Sequence, residues 1–150
     1  MINVGGKSIL LDPFITPNEK AKHIDVNSLH PDYILISHGH EDHVADALSI
    51  AKQSGAKIVS NYEIVTWFGS KGYANGHPMN HGGSWNFDFG KVKYVKAVHS
   101  SVLPDGTYGG NPGGFIVQSN DGSFYYSGDT ALTYDMKLIG ESANLSFALL

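Results

Sequence analysis

The residue types best suited to chemistry are concentrated in Ser37-His38-Gly39-His40-Glu41-Asp42-His43. Eight histidines spread over the chain would place roughly 0.3 in a six-residue window by chance, whereas His38 to His43 holds three together with two carboxylates. Two imidazoles two residues apart in a loop can turn toward one ion, and Asp42 and His43 can face a neighbouring one. The alternative reading makes Asp42 the N-cap of a following helix. It accounts for Asp42 alone and leaves the three histidines unexplained.

Two further candidates stand at the ends of strand-like runs. His99 follows the alternating segment Val92 to Val98, and Asp129 follows Phe124-Tyr125-Tyr126-Ser127-Gly128. Loops at one edge of a sheet converge, so ligands at strand ends are what a sheet-borne metal site needs. Singly, either is more often part of a structural turn; their weight comes from the first cluster. His77 and His81 lie in a Gly/Asn/His-rich stretch from Lys71 to Ser84 and are candidate substrate contacts, as is Asn111 within Gly109-Gly110-Asn111-Pro112-Gly113-Gly114, whose amides could cradle an anion. His23 and His30 sit in ordinary polar sequence. Trp67, Phe68, Trp85, Phe87 and Phe89 fall on helical or alternating positions and are expected in the core.

The elements that must position these residues can be read from pattern. Ile2 to Val4 and Lys7 to Leu11 flank Gly5-Gly6 as a hairpin, which Asp12-Pro13 ends. One short helix is expected near Asn18 to His23. Asp32 to Ser37 reads as a buried strand feeding the histidine loop, and Val44, Ala47, Leu48 and Ala51 recur at helical spacing up to Gly55. A strand over Ala56 to Ser60 then gives way to a helix capped by Asn61 and running to about Gly69. Lys71 to Ser84 is expected to be loop. Trp85 to Phe89 with Val92 to Ser100, and Phe115 to Ser119 with Ser123 to Ser127, form hairpins. Thr133 to Glu141 reads as a short helix and Leu145 to Leu150 as a buried strand. Two or three helices and mostly antiparallel strands place the chain in the α+β class.

Composition narrows the chemistry. With 41% apolar and 16% charged residues, against usual values of about 45–50% and about 25%, the chain is expected to be a folded single domain over residues 1–150. A net charge of −4 gives no basic surplus for polyanions, so nucleic acid and anionic membranes are disfavoured as partners. The absence of cysteine removes disulfides, thiolate nucleophiles and Cys-ligated metals, leaving His, Asp and Glu as ligands. No apolar run approaches the ~18 residues of a membrane span, and a cytoplasmic protein is expected. No Gly-x-Ser-x-Gly elbow occurs, and Gly6-Lys7-Ser8 lacks the first glycine and the following helix of a phosphate loop.

Taken together, His38-x-His40-x-Asp42-His43, then His99, then Asp129 in Ser-Gly-Asp-Thr resembles the metallo-β-lactamase superfamily in order, spacing and strand context. Asn75-Gly-His77-Pro-Met-Asn-His81-Gly-Gly, the Gly-Gly-Asn-Pro-Gly-Gly loop and Gly128-Asp-Thr-Ala-Leu-Thr-Tyr-Asp-Met are similar to its poorly characterised metal-dependent hydrolases, related to ascorbate-6-phosphate lactonase. The resemblance implies an αββα sandwich with a dinuclear site at one edge. It makes His38, His40 and His99 ligands of one ion, Asp42 and His43 ligands of the other, and Asp129 the bridge. The family's Gly-His first strand and final histidine have no counterpart, so residues 1–150 are expected to form a partial domain lacking the first strand and the C-terminal part, with a weakened second ion.

The activity expected is metal-dependent hydrolysis. Two divalent ions, with zinc favoured over manganese, iron or nickel, activate water against a lactone, ester or phosphodiester, with Asp42 and Asp129 as the catalytic carboxylates. A small-molecule substrate is the expected partner. The rival readings are a non-catalytic domain or inactive fragment tied together by one ion, and a metal-dependent nuclease, against which the acidic charge counts.

Overall fold

The computed structural model describes residues 1–150. Gly5 and Gly6, with φ of 54° and 76°, form the turn that joins β1 (Ile2–Val4) antiparallel to β2 (Lys7–Leu11). Such a turn needs positive φ at both central residues, which glycine supplies without steric cost. β2, β3 (Tyr33–Leu35), β4 (Lys57–Asn61) and β5 (Gly76–Met79) then run parallel in the order β1-β2-β3-β4-β5. The second sheet has the order β10-β9-β8-β7-β6, from β6 (Ser84–Phe87), β7 (Gly90–Lys96), β8 (Gly113–Ser119), β9 (Gly122–Tyr126) and β10 (Phe147–Leu149). Its pairs are antiparallel except β10 with β9.

Alternation along the strands divides the apolar residues into three layers of contact. Ile9, Tyr33, Leu35 and Val59 on one sheet meet Val92, Tyr94, Phe115, Val117 and Phe124 on the other, forming the core between the sheets. On the outer face of the first sheet, Leu10, Ile34, Ile36 and Ile58 pack against α1 (Glu41–Val44), α2 (Ala47–Ser54) and α3 (Tyr62–Ser70) through Val44, Ala47, Ile50, Ala51, Ile64 and Phe68. On the outer face of the second, Val95, Ile116 and Tyr125 receive Ile139 and Ala143 of α4 (Tyr134–Ser142) and its end. The result is the αββα sandwich expected from the sequence.

Several local expectations are corrected. There are four α-helices, not two or three, and the short helix expected near Asn18 is a single 3₁₀ turn over Glu19–Ala21, with another over Val26–Ser28. The helix expected from Val44 to Ser54 is divided at Asp46, whose amide donates to the Pro13 carbonyl and whose carboxylate accepts from the Ile15 and Thr16 amides. The Lys71 to Ser84 stretch contains β5, whose polar sequence gives no strand pattern because it lies at the sheet edge and is fixed by pairing with β4. β10 forms where expected but is exposed throughout, being the outer strand of its sheet. Trp85 is 55% exposed on edge strand β6, whereas Phe68 and Phe89 are buried as expected. No helix is long and apolar enough to cross a membrane.

Candidate metal centre

Parallel pairing brings the C-terminal ends of β2 and β3 to one edge, where Asp12 and the Ser37–His43 loop follow them. In the second sheet β7 and β9 both run antiparallel to β8, so their C-terminal ends, which lead to His99 and Asp129, also share an edge. The two edges are joined directly: Tyr94 Oη donates to the Ser37 carbonyl at 2.9 Å and Tyr126 Oη to Asp12 Oδ2 at 2.6 Å. Gly128, with φ of 57°, lets the Asp129 loop pass so close that a Cβ there would lie 2.5 Å from the Ser37 side chain. The Val98 amide donates to Thr130 Oγ1 at 2.8 Å and the Ala131 amide to the Val98 carbonyl at 3.0 Å, tying the two ligand loops together.

His38, His40 and His99 have ligand atoms that all lie within 4.8 Å of one another. His38 Nε2 and His40 Nδ1 are 3.0 Å apart, and the His99 ring centroid stands 5.1 Å and 5.0 Å from theirs. Two ligands on one tetrahedral ion at ~2.0–2.1 Å are separated by about 3.3 Å, close to the spacing of this nitrogen pair. Asp129 Oδ2 lies between the first set and His43, 3.8 Å from His99 Nε2 and 3.5 Å from His43 Nε2. The Asp42 carboxylate is 3.8 Å from His43 Nε2. All six residues singled out in the sequence as ligands are therefore brought to one place.

The orientation of these groups depends on a residue the sequence reading passed over as the end of a strand. Asp12 has φ of 38°, a left-handed conformation that aspartate tolerates better than most side chains. Its carboxylate, only 3% exposed, accepts from the Ser37 amide at 2.8 Å, the Ser37 hydroxyl, the Tyr126 hydroxyl and His43 Nδ1 at 2.8 Å. Because Ser37 Oγ gives its only proton to Asp12, it must accept from His38 Nδ1–H, which stands 3.0 Å away. The proton positions of both rings follow: His38 and His43 each carry hydrogen on Nδ1 and present an Nε2 lone pair. Such orienting partners fix tautomer and ring direction for a metal. His40 presents Nδ1 to the cluster while its Nε2 meets Ser100 Oγ at 3.0 Å. Asp12 also lies with His38 and His43 in a potential ligand set, but its hydrogen bonds make it an orienting acceptor.

Electrostatics support the same donors. Burial, reinforced by the neighbouring His43 and by His40 and His99, pushes His38 down to about 3 despite Asp12, so it stays a neutral donor. At His43 burial also favours the neutral ring, but the hydrogen bond and charge of Asp12, with Asp129 and Asp42, outweigh it and shift the value upward. Three lone pairs converging with a carboxylate form a donor set that suits a divalent ion such as zinc. The residues present fit the group.

The candidate substrate residues are engaged elsewhere. His77 pairs with Val59 in β4 and packs its ring at 5.0 Å from both Trp85 and Phe87. His81 stacks on Tyr94 at 4.9 Å and its Nε2 meets the Pro112 carbonyl at 2.9 Å. The Asn111 side chain accepts from Tyr108 Oη at 3.0 Å. His23 and His30 are exposed and stand apart from the cluster. Asp12, Ser37, Ser100, Thr130 and Tyr126 were not singled out. Only the position of Asp12 after a strand carried any signal, and it reads equally as a turn.

Residues 7–150 match the beta-lactamase superfamily domain. A metal-dependent hydrolase of Flavobacterium johnsoniae is 60% identical over 99% of this chain and 66% of its own length, and one of Christiangramia forsetii is 53% identical with the same coverage. Among solved structures, a metallo hydrolase from the archaeon Ignicoccus hospitalis superposes with a TM-score of 0.82 at 33% identity, covering 99% of this chain and 64% of that one. The chain thus spans 66% of the length of these curated relatives. The fold, the motif-bearing loops at one sheet edge and these matches agree, and the chain belongs to the metallo-β-lactamase superfamily.

Proposed function

We propose that the protein is a metal-dependent hydrolase of a small-molecule substrate, with a dinuclear site at the sheet edge. His38 Nε2, His40 Nδ1 and His99 would hold one ion, Asp42 and His43 Nε2 the other, and Asp129 both. The observation that carries this reading is the position of Asp129 Oδ2, 3.8 Å from His99 and 3.5 Å from His43. Between two histidine sets, one carboxylate can serve both. The ions, zinc on the chemistry of the donors, supply when bound an acidified water and a polarised carbonyl or phosphoryl oxygen.

The chain's own groups do the rest. Asp12 keeps His43 and, through Ser37, His38 in the tautomers that face the site. Asp42, 59% exposed at its side chain, is free to accept the proton of the attacking water and return it to the leaving group. Support for hydrolysis also comes from the relatives named metal-dependent hydrolases. Metal content per chain, followed by assay of lactones, esters and phosphodiesters, tests the reading. Two ions per chain and hydrolysis that chelator removes and zinc restores are expected; full activity in excess chelator would overturn it.

A further inference from the structure

The segment after His99 forms a small hairpin whose two faces differ. Ser101 and Leu103 are buried, while Ser100, Val102 and, across an isolated bridge from Val102, Tyr108 are exposed. The buried face is firmly held: Ser101 Oγ accepts from the Gly39 amide and donates to the Gly109 carbonyl, both at 3.0 Å, and the Asn61 side-chain amide donates to Gly109 at 2.7 Å. The exposed face begins at the metal cluster, since Ser100 Oγ touches His40 Nε2. Two residues of extended chain advance about 7 Å, and cross-strand partners lie about 4.5–5.5 Å apart. Tyr108 is therefore within reach of a substrate whose reacting bond sits at the histidines.

Tyr108 also walls a cleft of about 370 Å³ against α3, together with Tyr62, Glu63, Trp67 and Asp105. Tyr62 and Tyr108 are 60% and 63% exposed, and although the Tyr108 hydroxyl is anchored by Asn111 at 3.0 Å, both ring faces stay open to a ligand. The Trp67 face is occupied by Lys71 at 5.0 Å, and Lys71 in turn neutralises Asp105 at 2.9 Å. Glu63 has no such cation, so the cleft keeps one unbalanced negative charge beside two free aromatic faces.

Resting on the hydrolase reading, we infer that this cleft seats the non-reacting end of the substrate, an aromatic group carrying no negative charge, with Tyr108 as a specificity-determining residue. Stacking on the Tyr62 and Tyr108 rings supplies binding, and Glu63 rejects an anionic ring substituent. Under this inference the substrate carries an aromatic side group remote from the bond that is cleaved.

Binding is tested apart from catalysis in metal-free protein. With Trp85→Phe leaving Trp67 as the single tryptophan, its fluorescence is titrated with phenethylamine and with phenylacetate. Saturable quenching by phenethylamine is expected, with phenylacetate at least about tenfold weaker, a gap that Glu63→Gln closes. Tyr108→Ala is expected to weaken phenethylamine about fivefold and Tyr108→Phe by less than about twofold. Equal binding of the two probes, or an unchanged Kd in Tyr108→Ala, would overturn the inference. In the metal-loaded protein, Tyr108→Ala should lower the preference for phenyl over methyl esters through KM. If no ester is hydrolysed but the binding pattern holds, the hydrolase reading fails and the cleft stands. If hydrolysis holds while Tyr108→Ala leaves the preference unchanged, the cleft inference fails alone.

Discussion

His38 and Asp129 face the same few ångströms of space from opposite conditions. His38 is fully buried, its Nδ1 engaged by Ser37, which is itself bonded to Asp12. Asp129 is 49% exposed at its side chain, on a loop braced through its neighbours Thr130 and Ala131, while its own carboxylate accepts no hydrogen bond from the core. One half of the site is built into the core and the other is presented by loops. The core half fixes ring directions before any ion arrives; the exposed half gains its order from what it binds. Stability and reactivity are therefore expected to separate along this line.

The largest contrast should come from Asp129→Ala. Loss of the carboxylate between the two histidine sets should abolish hydrolysis and the second ion, while unfolding free energy changes by less than about 0.5 kcal/mol, as for other surface substitutions. Metal content by elemental analysis and a denaturant titration check both halves. Retained hydrolysis would remove the bridging role and the comparison with it.

Asp12→Asn probes the buried half. Asparagine tolerates the left-handed backbone at this position, so the effect isolates the carboxylate. Its amide cannot accept all four hydrogen bonds that Asp12 accepts, and the tautomers of His38 and His43 lose their anchor. Metal affinity should fall about 10–100-fold and stability by about 1–3 kcal/mol, the cost of a buried donor left unpaired. A competition titration with a chromophoric chelator and thermal unfolding give the two numbers; unchanged affinity would show that the rings orient themselves.

What the sequence revealed follows the same division. The histidine loop was legible because three imidazoles in six residues have no structural purpose, and His99 and Asp129 followed from alternation that ended on each. Asp12 was hidden: a lone aspartate before proline reads as a turn, and its partners Ser37, His43 and Tyr126 come together only when both sheets are in place. The hairpins were visible in period-two patterning and β3 as a short buried run, whereas the two-sheet sandwich came from the family resemblance. Edge strands β5 and β10 were misjudged because periodicity reports apolarity and not position within a sheet.

Acid should loosen the two ion positions differently. An ion requires neutral imidazole, so protons compete as pH falls through the ring's own value. His43, shifted upward by Asp12 and the nearby carboxylates against the effect of burial, takes up a proton above the ordinary value of 6.5. His38 does so only near 3. Affinity at the Asp42–His43 position should therefore decline from neutral pH downward, ahead of any loss due to His38. Calorimetric titration at pH 7.5, 6.5 and 5.5 resolves the order, and simultaneous loss of both ions would merge the two halves into one coupled unit.

The smallest effects should mark where the site ends. His81 stacks on Tyr94, whose hydroxyl holds the Ser37 carbonyl, and its own Nε2 meets the Pro112 carbonyl. Removing the ring takes away one stacked pair and one hydrogen bond, about 1 kcal/mol or somewhat more. No metal-facing nitrogen is lost, so His81→Ala should lower the unfolding temperature slightly and leave metal stoichiometry unchanged. His30→Ala, at an exposed position outside every cluster, should change neither. If His81→Ala instead cost one ion per chain, the ring would have to leave Tyr94 to act as a ligand. The boundary between scaffold and metal centre would then lie beyond Tyr94 rather than at Ser37.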